Sequence, residues 1–319
     1  MQLSENLPGM TRKIHQIMEN IQKVIVGKEE PIRLMLTALF CRGHVLIEDV
    51  PGVGKTMLVN ALAKSARLSF SRIQCTPDML PSDVTGFTMF DVKTGEKTYH
   101  PGPVMSQLLL ADEINRTSPK TQSSLLEAMD EYQVSVDGET YELPRPFMVM
   151  ATQNPIECVG TFPLPEAQMD RFLLKISLGY PDAQEEARML GRFALDNPLD
   201  TLGTVVSVEE ILALQEAVTH VAVSDAMRSY IVSLINATRQ NEWTRLGASP
   251  RASIALMRAA QATALMQGSD FVRPDDVQAM AAPVLAHRLM ISAQGKLQGI
   301  GGREVIEQVL RSVAVPLAV

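Results

Sequence analysis

The stretch "HVLIEDVPGVGKT", His44 to Thr56, constrains the fold of this chain more than any other part of the sequence. Its short apolar run predicts a buried strand, and the helix-forming "MLVNALAKSA" follows the glycines. A glycine-containing loop between a strand and a helix is typical of phosphate-binding loops, whose backbone N–H groups wrap phosphate oxygens. Asp49, however, stands where the general G-x-x-x-x-G-K-[ST] pattern has its first glycine, so a glycine turn without a ligand is the alternative.

The residue types of this loop fit the chemistry of a nucleoside triphosphate. Lys55 would reach the β- and γ-phosphates, and the hydroxyl of Thr56 would bind Mg²⁺ in a shell completed by water and phosphate oxygens. The order strand, loop, helix favours an ATP site over a chance match. The predicted nucleotide-binding residues of the loop are Pro51, Gly52, Val53, Gly54, Lys55, Thr56 and Met57.

Two further apolar runs predict strands of the same sheet. They are "VMSQLLLADE", residues 104–113, and "PFMVMATQNP", residues 146–155, and the helical "TQSSLLEAMDE" lies between them. Strands that alternate with helices are typical of a parallel α/β sheet with helices on both faces. The sequence therefore predicts an α/β fold for the first part of the chain.

Polar side chains stand where these two strands end, and ligands of α/β sheets bind at the carboxyl ends of strands. We predict that Asp112 serves the metal ion and that Glu113, just past the regular pleat, acts as the base that aims a water at the γ-phosphate. Asn154 would hold that water or the γ-phosphate. The alternatives are a solvated strand end for the carboxylates and a turn residue for Asn154.

The rest of the chain divides into helices and two hairpins. Helix periodicity predicts one helix over residues 11–26 and another over 31–40, while alternating patterns predict hairpins over 88–99 and 132–143. The Pro, Gly, Asn and Asp residues of "ALDNPLDTLGT" indicate a boundary. We predict an α/β nucleotide-binding domain with N-terminal helices over residues 1–196 and a smaller all-α lid domain over 197–319.

Charge and cysteine usage narrow the functional classes. The net charge of −7 offers no overall positive field for DNA or RNA, so no nucleic-acid partner is expected. Cys41, Cys75 and Cys158 are too few and too scattered for a disulfide framework and predict buried thiols in a cytoplasmic protein. No apolar run approaches the ~18 residues of a membrane span, so membrane insertion is not expected.

The motifs resemble those of AAA+ ATPases of the MoxR family, in family order. "EDVPGVGKT" resembles the family's Walker A segment, "LLLADEINRTSPKTQSSLLEAMDE" its Walker B segment and "ATQNP" its sensor 1 segment. "PLPEAQMDRF" and "GASPRAS" resemble the arginine-finger and sensor 2 segments. Asp49 is usual in that family, which favours a real ATP site.

The resemblance implies roles for three polar residues and a ring. It assigns Asn154 as sensor 1, Arg171 as an arginine finger delivered into a neighbour's site, and Arg251 as sensor 2. An arginine finger requires an oligomer, and the family implies a homo-oligomeric ring with six subunits. The alternatives are a surface arginine paired with Asp170 for Arg171, and an ordinary helix-start arginine for Arg251.

The resemblance also implies an adenine pocket and places for the hairpins. Ile25, Val26 and Gly27 resemble the segment that lines the adenine pocket, with Tyr180 as a further candidate and core packing as the alternative. The two predicted hairpins match the family's insertions, and decorative loops are the alternative. Arg116 would lie at a subunit interface.

The implied function is Mg²⁺-dependent ATP hydrolysis coupled to chaperone-like remodelling or maturation of a partner, for example in metal insertion. The implied partners are a protein with a von Willebrand factor A domain or a metalloenzyme substrate. A chelatase-like motor subunit, a nucleic-acid-associated AAA+ motor and a nucleotide-gated binding module with negligible hydrolysis are the alternatives.

Overall fold

The computed structural model describes residues 3–154, 160–194 and 197–316, so Cys158 lies outside the described residues. The helices are α1 (Leu3–Gln22), α2 (Glu29–Phe40), α3 (Lys55–Ala66), α4 (Pro81–Thr85), α5 (Pro119–Glu131), α6 (Glu166–Met169), α7 (Ala183–Phe193), α8 (Val208–His220), α9 (Asp225–Gln240), α10 (Pro250–Met266), α11 (Pro274–Leu285), α12 (Ala293–Leu297) and α13 (Gly302–Ser312). The strands are β1 (Val45–Glu48), β2 (Phe70–Gln74), β3 (Gly86–Phe90), β4 (Lys97–Pro101), β5 (Leu108–Asp112), β6 (Gln133–Val136), β7 (Glu139–Glu142), β8 (Met148–Gln153), β9 (Leu174–Ile176), β10 (Thr244–Leu246) and β11 (Met290–Ile291).

Five parallel strands form the central sheet, in the order β2-β5-β8-β1-β9. All five strands begin at one edge, which we call the amino edge, and end at the other, the carboxyl edge. Asp112 pairs with Gln74, and Glu48 pairs with Gln153, so these four residues mark the carboxyl edge. The predicted parallel α/β sheet is confirmed.

The sheet is apolar on both faces because helices cover both. Alternate residues of β1, β5 and β8 enter two separate core clusters, as the two-residue period of a strand requires. One cluster contains Val45, Ile47, Leu108, Leu110, Met148 and Met150. The other contains Leu46, Leu109, Ala111, Val149 and Ala151. This two-sided burial explains why the strands read as continuous apolar runs.

Both predicted hairpins are present. Strands β3 and β4 pair antiparallel, and so do β6 and β7, whose turn residues Asp137 and Gly138 both have positive φ angles, 51° and 87°. Two consecutive positive φ angles are typical of a type I′ turn, the form that Asp-Gly favours. The hairpins contact each other, because the rings of Tyr99 and Tyr141 stack with centroids 3.9 Å apart.

The C-terminal part is helical, as predicted, and the structure adds a two-stranded ribbon of β10 and β11. Helices α8 to α11 begin at or next to the first residues of "VEEILALQEAVTHV", "AMRSYIVSLINATRQ", "SPRASIALMRAAQATALMQ" and "RPDDVQAMAAPVLAHRL", in which the apolar spacing predicts helices. Ser207, Ser224 and Ser249 accept hydrogen bonds from backbone N–H groups of the helices that they cap. These caps give the physical reason why a serine directly before a stretch of helix-period apolar residues indicates the start of a helix.

The N-terminal helix differs from its prediction. Helix α1 begins earlier than residue 11 and runs through Pro8, and it ends at Gln22 rather than Val26 because Lys23 and Val24 make turn hydrogen bonds to Asn20 and Ile21. Its apolar face contributes Ile14, Ile17 and Ile21 to the core.

One apolar core joins the N-terminal helices, the sheet and the helices after residue 197. The division at residues 196 and 197 stays a prediction, since residues 195–196 fall outside the described ranges. Within those ranges, no helix is long and apolar enough to cross a membrane.

Candidate functional site

The P-loop connects the carboxyl edge of β1 to the first turn of α3. Gly52 and Gly54 have φ angles of 86° and 91°, a left-handed backbone that residues with a Cβ rarely adopt. Lys55 is the first residue of α3, and its Nζ donates to the carbonyl oxygens of Asp49 and Val50, each 3.2 Å away. The ammonium group therefore lies within the loop that begins the helix.

Asp49 has a structural role that explains its place in the loop. Its buried carboxylate accepts hydrogen bonds from the backbone N–H groups of Leu178 and Gly179, the latter at 3.2 Å and 3.3 Å. These bonds tie the start of the P-loop to the segment that follows β9. Asp49 lacks the left-handed backbone that would require glycine, so the departure from the general pattern places no strain on the loop.

Asp112 and Glu113 face the P-loop from the end of β5. Asp112 is buried; its Oδ2 lies 2.6 Å from Arg72 Nε, and its Oδ1 accepts from the hydroxyl of Thr152 at 3.3 Å. Glu113 leaves the strand with a φ of 57°, which turns its side chain out of the pleat, and its N–H donates to Thr152 Oγ1 at 2.8 Å. Thr152 thus fixes both carboxylate-bearing residues.

The carboxylate of Glu113 is held by two donors. Gln74 Nε2 donates to its Oε2 at 2.9 Å, and Arg116 Nη1 donates to the same oxygen at 3.0 Å. Gln74 and Arg72 lie on β2, a strand that the sequence reasoning missed, and Thr152 was also missed. The alternation of polar and apolar residues that could have revealed β2 covers only the four residues "RIQC".

These residues meet around one cleft of about 320 Å³, within the usual size range of small-molecule sites. Of the predicted site residues, the lining includes Pro51, Gly52, Gly54, Lys55, Thr56, Met57, Asp112, Glu113 and Asn154. Val53 packs against the core instead. The structure therefore brings together most of the predicted phosphate-binding and catalytic residues.

Thr56 and Asp112 suit a hard cation. Both line the cleft, and hydroxyl and carboxylate oxygens are ligands that Mg²⁺ prefers. Across the described ranges, no group of three or more His, Cys, Asp or Glu side chains has a metal-binding arrangement.

The predicted adenine-pocket residues do not line this cleft. Ile25 is buried, Gly27 has a φ of 70° beside Glu185, and Tyr180 is 72% exposed. Lys28 Nζ donates to the carbonyl oxygen of Tyr180 at 3.0 Å, so the two candidate segments do lie side by side. The roles of Val26 and Gly27 stay predictions.

Arg171 and Arg251 lie far from the cleft, near the amino edge. Arg171 Nε is 3.1 Å from Asp130 Oδ2, and Arg251 Nη2 is 2.5 Å from Asp130 Oδ1. A cavity of about 220 Å³ beside them is lined by His44 and Leu173, which directly precede β1 and β9. This cavity and the nucleotide cleft share no lining residue.

The predicted alternative that Arg171 pairs with Asp170 is wrong. Asp170 instead accepts from Arg288 Nε at 2.6 Å and from the hydroxyl of Ser249 at 3.0 Å. Arg288 is almost fully buried and also donates to the carbonyl oxygen of Phe172 at 2.7 Å. The helices after residue 197 are thereby fastened to the segment that carries Arg171.

Comparisons with known proteins agree with this architecture. Residues 44–174 match the model of the ATPase family associated with various cellular activities (AAA), and residues 236–309 match that of an AAA lid domain. A crystal structure of a protein from Cytophaga hutchinsonii that is assigned as an ATPase superposes with a TM-score of 0.92 at 39% identity, covering 98% of both chains.

Curated relatives identify the family within this broad group. The uncharacterized protein YeaC of Bacillus subtilis is 52% identical over 94% of this chain and 93% of its own length. The chaperone MoxR1 of Mycobacterium tuberculosis is 41% identical over 98% of this chain and 85% of its own. Protein MoxR of Paracoccus denitrificans is 34% identical over 84% of this chain and 86% of its own. The chain therefore belongs to the MoxR family of AAA+ ATPases.

Proposed function

We propose that this protein hydrolyses Mg²⁺-bound ATP at the interfaces of a homo-oligomeric ring, with six subunits, and that it uses the cycle to remodel or mature a partner protein. The observation that carries the proposal is the position of Arg171 and Arg251. Both arginines face the amino edge of the sheet, whereas the P-loop, Asp112 and Glu113 face the carboxyl edge.

Strands β1 and β8, which run between the two edges, have four and six residues. At about 3.3 Å per residue, such strands span roughly 13–20 Å, which exceeds the reach of an arginine side chain. Neither arginine can therefore serve its own nucleotide in this conformation. A second copy of the chain, placed with its carboxyl edge against this amino edge, would supply the nucleotide.

Within its own cleft, each subunit would bind the phosphates and prepare the water. Gly52 and Gly54 present backbone N–H groups, and Lys55 turns from the loop carbonyls to the β- and γ-phosphates. Thr56 and Asp112 would hold Mg²⁺, which when bound neutralises charge on the phosphate oxygens.

Glu113 and Asn154 would act on the attacking water. The carboxylate of Glu113 accepts the water's proton, and Gln74 and Arg116 fix its orientation through Oε2. The amide of Asn154, at the end of the neighbouring strand, contributes a polar group without a charge. Glu113→Gln is expected to keep ATP binding and to lower turnover by about a hundredfold or more; unchanged turnover would remove Glu113 from the mechanism.

Across the interface, Arg171 and Arg251 would neutralise charge that develops on the transferred γ-phosphoryl group. Guanidinium groups in this role contribute a factor of about 10³ or more in related phosphoryl-transfer enzymes. Arg171 follows α6 in the core, and Arg251 lies in the first turn of α10 in the lid. ATP bound by a neighbour would therefore contact both the core and the lid of the subunit that supplies these arginines. ATP state would thus set the position of the lid across each interface.

Remodelling requires a surface that contacts a client. Large apolar side chains are exposed in and just before the β3–β4 hairpin, namely Leu80, Phe87, Met89, Phe90 and Val92. Contiguous exposed apolar residues are typical of protein interaction sites. The name of the relative MoxR1 includes "chaperone", which supports a chaperone-like role. We propose a von Willebrand factor A domain protein or a metalloenzyme as the partner.

The hairpin assignment has its own test. Replacing Met89 and Phe90 by Ser is expected to leave basal ATP hydrolysis unchanged and to abolish its stimulation by a client. Equal stimulation of the variant and the wild type would show that the client binds elsewhere.

The shared site can be tested by mixing two inactive variants, Arg171→Ala and Glu113→Gln. One interface in four of a randomly mixed ring would combine an intact Glu113 with an intact Arg171, so mixing is expected to restore about a quarter of the wild-type rate. The unmixed variants and a mixture kept below the assembly concentration are the controls. A mixture that stays inactive although it assembles would contradict a site shared between subunits.

A further inference from the structure

Asp130 is the point at which the two distant arginines meet. Arg171 is carried by the segment before β9 and Arg251 by the first turn of α10, yet each contacts a different oxygen of the same carboxylate. Within residues 3–154, 160–194 and 197–316, Asp130 is the single ion-pair partner of both arginines. One negative charge is therefore shared between two positive charges.

The positions of these charges along their helices are unfavourable. Asp130 lies in the last turn of α5, where the helix dipole repels a carboxylate, and Arg251 lies in the first turn of α10, where it repels a cation. Neither charge stabilises its own helix. What each gains at this place is the contact with the other.

The surrounding cavity has an excess of positive charge. Its lining contains five arginines, Arg42, Arg171, Arg251, Arg258 and Arg288, and two acidic residues, Asp130 and Asp170. Arg288 forms an ion pair with Asp170, and Arg42 forms one with Glu216 at 3.4 Å. The contacts of Asp130 use Nε of Arg171 and Nη2 of Arg251, so other N–H groups of both guanidiniums can bind an additional anion.

We propose that Asp130 is a positioning residue for ATP hydrolysis: it holds Arg171 and Arg251 side by side so that both reach the γ-phosphate bound by a neighbouring subunit. This inference rests on the proposed shared site. It adds a residue, Asp130, that makes no contact with the nucleotide of its own subunit and connects the core arginine to the lid arginine.

The test compares Asp130→Asn with Glu127→Gln. Glu127 lies on the same helix, is exposed, and loses the same charge on substitution, so it is the matched control. Asp130→Asn is expected to lower kcat about tenfold, because two long arginine side chains must then be ordered in each turnover. The KM for ATP and ring assembly are expected to stay as in the wild type, and Glu127→Gln is expected to behave as the wild type throughout. Asp130→Glu, which keeps the charge, is expected to recover part of the lost kcat.

Mixed rings separate positioning from a general loss of structure. A subunit with Asp130→Asn keeps its own Glu113 and P-loop. A Glu113→Gln neighbour has an intact Asp130 and both arginines, so it should complete the site of the Asp130→Asn subunit. Mixing these two variants is therefore expected to raise the rate per Asp130→Asn subunit above that of the unmixed variant. A folding defect confined to the Asp130→Asn subunit would not be repaired by its neighbour.

Two results would overturn the proposal. The first is a wild-type kcat for Asp130→Asn, and the second is a low kcat that mixing does not raise. The parallel mixture of Arg171→Ala with Glu113→Gln shows which idea has failed. If that mixture regains activity while the Asp130→Asn mixture does not, the shared site stands and Asp130 is only structural; if neither regains activity, the shared site fails and the role of Asp130 fails with it.

Discussion

Restoring the general P-loop glycine by Asp49→Gly is expected to destabilise this protein. Asp49 is 7% exposed, and its carboxylate accepts hydrogen bonds from the backbone N–H groups of Leu178 and Gly179. Removing it leaves both donors without a protein acceptor, and the N–H of Leu178 is then unsatisfied at a buried position. The substitution that matches the general motif should therefore harm this particular loop.

The magnitude follows from the contacts that are lost. A hydrogen bond to a charged group contributes about 1.5–3 kcal/mol, and a buried donor left unsatisfied costs about 1–3 kcal/mol. Glycine adds about 0.5–1 kcal/mol through the greater freedom of the unfolded chain. Because Gly179 is only partly buried and water can reach its N–H, we expect a total near 3 kcal/mol, or about 4–5 °C in Tm for a chain of this length.

The assay is thermal unfolding with and without ATP and Mg²⁺. Asp137→Gly is the matched control, since Asp137 has the same side chain at an exposed hairpin turn with a φ of 51°, where glycine is well accepted. Asp49→Asn keeps one acceptor oxygen and should fall between Asp49→Gly and the wild type. A Tm for Asp49→Gly within 1 °C of the wild type, or above it, would refute the anchoring role of Asp49.

Three further predictions concern buried groups. His44 accepts from the N–H of Val149, and burial lowers its pKa to about 4, so the unfolded chain binds a proton below about pH 6.5 that the native state excludes. Lowering the pH from 7.5 to 5.0 should reduce the free energy of unfolding in urea by about 2 kcal/mol more for the wild type than for His44→Gln. Equal reductions for the two proteins would contradict this prediction. Burial raises the pKa of the Cys75 thiol to about 12, so a maleimide at pH 7 should label Cys75 only after unfolding; rapid labelling of the native protein would count against it. Arg288→Met leaves the carboxylate of Asp170 without its buried partner and should cost about 3–5 kcal/mol in thermal unfolding, and an unchanged Tm would show that the pair is dispensable.

Local patterns were enough for the elements whose residues face a core. Strands β5 and β8 are apolar on both faces, and their burial produces the runs from which they were predicted. The β6–β7 hairpin follows from the positive φ angles that Asp137 and Gly138 accept. The P-loop and the polar strand ends were predictable because the chemistry requires them directly after buried strands.

Other elements had no such pattern. Strand β2 lies at the edge of the sheet and has three partly buried or exposed polar positions, β9 has three residues, and α7 has no buried residue. The position of the arginines was also beyond local reasoning. Arg251 pairs with a residue 121 positions away, and a contact of that sequence separation leaves no periodic signal in a single chain.

The most direct test of the shared site is ATP hydrolysis per subunit measured against protein concentration, with particle size determined in the same ATP and Mg²⁺ buffer, for the wild type and Arg171→Ala. We predict that wild-type activity per subunit rises in step with assembly, whereas Arg171→Ala assembles equally well and stays inactive. Activity per subunit that is the same for the wild-type monomer and its assembly would contradict a site completed by a neighbour's arginines.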